Sequence, residues 1–217
     1  MRTSDTPGAR LFAVALSLVF VTLAAASCAR AQDNMGQMNA AQTDKRKLTT
    51  IQSASADYDN NPKAVEVRYL NLPWGEATFG YIETGIDARN GGYYAGRAWP
   101  IAHLRLAVPA VYEGKDLKPG DYAFVITPRN AKTNTDMTLA LEWFKPAEEG
   151  GTFLKAGNVF VETPKDAVVV TQKTVKFAKG GDPVDQLQMW VGKQGKKDIE
   201  IKFHYGDRTL TEKLKLK

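Results

Sequence analysis

Tyr112 to Pro128, YEGKDLKPGDYAFVITP, is the stretch whose reading decides the fold. Lys118-Pro119-Gly120-Asp121 is a turn, since proline sets φ at its second position and glycine tolerates positive φ after it. Tyr122, Phe124 and Ile126 then alternate with Ala123, Val125 and Thr127 until Pro128 ends the run. A tight turn feeding a period-two run of aromatic and β-branched residues predicts a strand with one face turned inward.

The same grammar extends in both directions. Upstream, Val65, Val67 and Tyr69 alternate with Glu66 and Arg68, Ala77 to Ile86 predicts a second strand, and Ile101 to Val108 a third. In that third strand Ala102, Leu104 and Leu106 share one face, while His103 and Arg105 share the other, which reads as solvent-facing. Downstream, Asp136 to Phe144 alternates, and Ala167 to Phe177, longer and less regular, predicts a central strand. Val184 to Gly192 sets Leu187, Met189 and Val191 against Gln186, Gln188 and Trp190.

The chain closes on a hairpin in which Gly206-Asp207 suits a two-residue turn. Its register pairs Tyr205 with Arg208 and Glu200 with Lys213. It also places Glu212 opposite Ile201 on the apolar side, a conflict that calls for a bulge or the rim of a sheet. No ten-residue helical period follows the N-terminal segment. The expected fold is all-β: a single antiparallel β-sandwich, jelly-roll or Ig-like, of about nine or ten strands over residues 63–217.

The N-terminus reads differently. Arg2 and Arg10 precede an uncharged apolar run from Leu11 to Ala26, too short for a membrane span of about 20 residues. Ala29-Arg30-Ala31 supplies a small-x-small cleavage site, so residues 1–31 are expected to be a bacterial secretory signal peptide and the protein periplasmic or secreted. The only cysteine, Cys28, stands in a loose lipoprotein box, and its acylation is the alternative, a membrane-anchored lipoprotein. Residues 32–62 are polar and without period, and read as a flexible lead-in. Within it Asp57, Asp59 and Asn61 have the spacing of a calcium loop, but Pro62 and Arg68 stand where glycine and a carboxylate are required, so a turn is expected.

The 217-residue chain carries a mixed net charge of +5 with two histidines. Nucleic-acid binding, which concentrates far more positive charge on one face, is not expected. No metal-ligand spacing, nucleophile motif or phosphate loop appears, so no cofactor, metal or catalytic residue is assigned and a non-enzyme is favoured. A hydrolase using His103 with Glu76, Glu83 or Asp87 is the catalytic alternative.

The best candidate surface is the glycine-rich loop Asp87 to Pro100. Tyr93, Tyr94, Arg97 and Trp99, with Trp74 upstream, are expected to bind a protein or glycan ligand of the cell envelope, and a carbohydrate-binding module is the narrower alternative. The competing expectation is that Tyr94 and Trp99 fold back to plug an end of the sandwich. Seven lysines between Lys193 and Lys217, with Arg208, make the C-terminus basic. They suit either an anionic envelope surface or protection of a sheet edge.

Gly96-Arg97-Ala98-Trp99, the turn Gly114 to Tyr122 (GKDLKPGDY), DMTLALEW and the closing hairpin together resemble a family of exported bacterial domains of unknown function, catalogued as twenty-nine-eleven. The resemblance spans residues 96–217, and the run Trp99 to His103 departs from the family's pattern. It implies an exported β-sandwich and assigns no activity.

Overall fold

The computed structural model describes residues 49–87, 92–93, 98–158 and 161–217, with 87, 92 and 93 described by backbone alone. In chain order the elements are β1 (Ile51–Tyr58), β2 (Asn61–Leu70), helix α1 (Glu76–Thr84), β3 (Ile86–Asp87), β4 (Gly92–Tyr93), β5 (Trp99–Leu106), β6 (Ala110–Tyr112), β7 (Lys115–Leu117), β8 (Gly120–Thr127), β9 (Thr138–Phe144), β10 (Val168–Thr174), β11 (Ala178–Lys193) and β12 (Asp198–Leu216). They form a six-stranded sheet, β1-β2-β5-β8-β9-β10, and a four-stranded sheet, β11-β12-β6-β7, with β3 and β4 paired separately. Every pairing is antiparallel. The protein is the all-β sandwich that the alternation predicts, and the opening Pro119-Gly120 turn leads into β8, near the middle of the larger sheet.

β12 is not straight. The Leu216 amide donates to the Lys197 carbonyl at 2.8 Å, whereas a straight strand at about 3.3 Å per residue would hold those residues roughly 60 Å apart. The strand therefore doubles back, and Gly206, at φ +61°, is the residue that turns it. The bond continues the register in which Tyr205 opposes Arg208, as expected from the sequence. The first arm pairs with β11, which also reaches Arg208 and Thr209 beyond the turn, and the end of the second arm pairs with β6.

The core lies between the sheets. Val65, Val67, Ala102, Leu104, Phe124 and Leu141 of the larger sheet meet Met189, Ile201, Phe203 and Leu214 of the smaller. Phe124 stands edge-on to both Phe203 and Tyr112. A second, smaller cluster of Ala123, Val125, Ala140 and Phe144 lies on the other face of the large sheet, where Phe153 and Ala167 pack onto it. The segment after β9 thus covers a face that alternation alone marks as outward. The Arg68 guanidinium pins it by donating to the Gly150 carbonyl at 2.6 Å.

Several expectations are corrected. Ala77 to Ile86 belongs mostly to a helix, not a strand: α1 runs Glu76–Thr84, buries Phe79 and Ile82 one turn apart on one side, and ends at Gly85 in the left-handed region. The sheet starts at Ile51, inside the expected lead-in, because Asp59 and Asn60, at φ +46° and +64°, turn the chain into β2 and pair Tyr58 with Asn61. Those positive φ values at both turn residues fit the hairpin turn that matches strand twist, and the Asp57 carboxylate accepts the Lys63 amide at 2.8 Å. The Asx residues do serve a turn. β10 is an edge strand rather than a central one, with Val168 and Val169 more than half exposed. Residues 1–31, expected to be a signal peptide, and Cys28 among them lie outside the described residues.

Candidate functional site

β11 carries Leu187, Met189 and Val191 inward, so Gln188, Trp190 and Gly192 face outward. Trp190 is 48% exposed, a large apolar area left in water. Its indole closes against Gly192, two residues on: a Cβ at that glycine would run into the benzo carbons of the ring. The benzo end of the indole therefore rests against backbone while about half of the residue stays in water.

Polar side chains flank it on the neighbouring arm of β12. The register sets Gln188 opposite His204, Trp190 opposite Lys202 and Gly192 opposite Glu200. These five outward side chains, with Met189 beneath, line an open depression of about 520 Å³. His204 Nε2 is shielded from solvent and makes no protein hydrogen bond. A flat apolar surface ringed by a few convergent polar groups suits a ligand with one apolar and one hydroxyl-rich side. The other exposed tryptophan, Trp143, is 41% exposed, but its cross-strand partner is the exposed Val168, so its surroundings are apolar.

The residues singled out from the sequence are distributed otherwise. Trp74 is packed rather than displayed: its ring lies 5.5 Å from Phe79 and edge-on to Tyr205 at 4.8 Å, and it closes over Gly206 at the hairpin turn. Trp99 is half-buried, 6.1 Å from Tyr81 of α1. Both are packed against a helix that the alternation did not reveal, which supplies Phe79 and Tyr81 as their partners. Tyr93 contributes backbone pairing with Ile86, while Tyr94 and Arg97 lie outside the described residues.

His103 is not solvent-facing; it is fully buried. Its Nε2 meets Asp121 Oδ1 at 2.7 Å, and its ring lies 5.1 Å from Phe144 and 5.9 Å from Phe153. Burial pushes its pKa below the usual histidine value, only partly opposed by Asp121. The ring is therefore neutral at pH 7, with the Nε2 proton donated to Asp121. Nδ1 makes no hydrogen bond.

Two of the three carboxylates expected to assist His103 are placed elsewhere. Glu76 begins α1, Glu83 lies 3.5 Å from Arg208, and the side chain of Asp87 is outside the described residues. Glu66, beside His103 on the same face, binds Arg68 at 2.9 Å and Lys63 at 3.2 Å. Burial alone would raise its pKa, but those two cations outweigh it and hold it low. This group is a packed polar layer beneath the covering segment. Among the described residues no group of three or more His, Cys, Asp or Glu side chains could hold a metal ion.

Sequence reasoning missed Trp190, although the signal was present: a tryptophan standing on the glutamine side of an alternating strand. No protein-family model, curated protein or solved structure matches this chain.

Proposed function

We propose that the protein is an exported, non-catalytic binding module that holds a glycan on the outer face of β11 and β12. The observation that carries this is the indole of Trp190, braced against Gly192 and left about half in water. A pyranose presents C–H groups on one face and hydroxyls around its rim. The indole meets the first, and Gln188, Glu200 and Lys202 can bond the second. The closing hairpin supports such a site, since its first arm pairs along its length with β11 and the end of its second arm with β6. Export is supported by the apolar N-terminal run and by the resemblance of residues 96–217 to the exported bacterial family. Lipid anchoring at Cys28 remains the alternative to a freely periplasmic or secreted protein.

The test is retention on a panel of neutral and acidic polysaccharides, comparing the wild type with Trp190→Ala. Removing a central aromatic anchor should weaken binding about tenfold or more. Because Trp190 is half-exposed, thermal stability should stay within about 1 kcal/mol of wild type. Absence of retention on every polysaccharide, or equal retention by the variant, sinks the proposal.

A further inference from the structure

The charges around Trp190 select among glycans. The hairpin register of β12 continues from the Lys197–Leu216 hydrogen bond, so Asp198 opposes Lys215 and Glu200 opposes Lys213. Lys202 has no acid across from it, and Glu200, two residues before it on the same face, makes no ion pair with it among the described residues. Its neighbours in its own row are Trp190 on β11 and, by the same register, Thr211 on the second arm, neither of them charged. It is exposed and makes no ion pair among the described residues. Adjacent strands lie about 4.8 Å apart, which puts this unmatched ammonium one strand from the indole. Lys196 and Lys197, both exposed in the turn that joins β11 to β12, add cationic charge at the same end.

Resting on the glycan-binding reading above, we infer that the ligand is an acidic glycan built from carboxylate-bearing sugars. The ring of one sugar lies on Trp190 and its carboxylate meets Lys202. Gln188 presents an amide to a hydroxyl of the same or the next sugar. Glu200 accepts from a hydroxyl on the side nearer Gly192. A neutral glycan would leave Lys202 without a counter-charge. A linear polyanion lacking a ring would meet the lysine but leave the indole in water.

The test uses the mature chain and three immobilised probes: polygalacturonate, its methyl-esterified form, and polyglutamate. The expected result is a preference for polygalacturonate over its ester of about tenfold, falling as salt rises from 0.05 to about 0.5 M because exposed charges are screened over roughly 8 Å at physiological ionic strength. Lys202→Gln should lower affinity for polygalacturonate to about that of the variant for the ester, abolishing the preference. Trp190→Ala should weaken both.

Equal binding of the acid and ester forms, with Trp190 still required, overturns the acidic ligand and leaves the glycan site standing. Polyglutamate bound as tightly as polygalacturonate and independently of Trp190 overturns both, leaving a charge patch only. Retention on neither saccharide form overturns this inference, and the wider panel then decides the glycan site.

Discussion

At the scale of single residues, two side chains concentrate what alternation cannot express. His103 occupies a polar position in its strand and ends fully buried, with a pKa pushed below the ordinary 6.5 by burial. Asp121 on β8 and Glu66 on β2 favour its proton and Arg68 opposes it, while Phe144 and Phe153 close it off from water. The unfolded chain therefore takes up a proton that the folded one refuses. The resulting stability is complete above about pH 6.5 and declines as pH falls below it. Urea midpoints at pH 8 and pH 5 should show a smaller acid loss for His103→Gln than for wild type. An equal loss in both would mean that His103 contributes nothing to acid sensitivity.

Gly206 is the second such residue. Its φ of +61° disfavours any side chain, and the ring of Trp74 occupies the space a Cβ would need. Gly206→Ala is expected to cost about 1–3 kcal/mol, from strain at positive φ and displacement of the indole. An unchanged denaturation midpoint would contradict that.

At the scale of elements, the closing hairpin and β10 hold one another through a buried charge. Glu212, on the inward face of the second arm of β12, has a fully buried side chain. Lys173 of β10 reaches it at 2.6 Å and also meets Glu113 at 2.7 Å, while the Tyr112 hydroxyl donates to Glu212 at 2.6 Å. Burial alone would lower the pKa of Lys173, but bonds and charges from the two glutamates outweigh it, so the lysine is held cationic. The same carboxylate, together with burial, pushes the Tyr112 phenol well up, so it stays a donor. The misfit of Glu212 against Ile201, visible in the sequence, is resolved by an ion pair from the opposite sheet rather than by exposure.

Lys173→Met should leave that carboxylate stranded and cost about 3 kcal/mol, toward the lower end for buried pairs because the lysine is 29% exposed. The double variant Lys173→Met/Glu212→Leu should recover most of the loss. If the single variant is as stable as wild type in urea, the pair is not what joins the sheets.

At the scale of the whole molecule, the fold was legible wherever one strand or one turn carried its own signal. Lys118 to Thr127 announced a turn and a strand, Gly206-Asp207 announced the final turn and its register, and Glu212 announced its own misfit. Helix α1 was hidden because its nine residues are few enough for their apolar side chains to pass as strand alternation. The candidate site was half legible. Trp190 stood on the polar side of its strand, but its openness depends on Gly192 accepting the ring and on the outer face of the smaller sheet staying uncovered around it. His103 stood in an equivalent position on the other sheet and is buried. By itself the sequence determined the period of each strand, the places where the chain turns and the division of each strand into two faces, because these follow from local backbone geometry and side-chain size. Only the tertiary structure decided which outward face is covered and which is open. That depends on where the segment after β9 packs, a contact between residues far apart in the chain that no local pattern encodes.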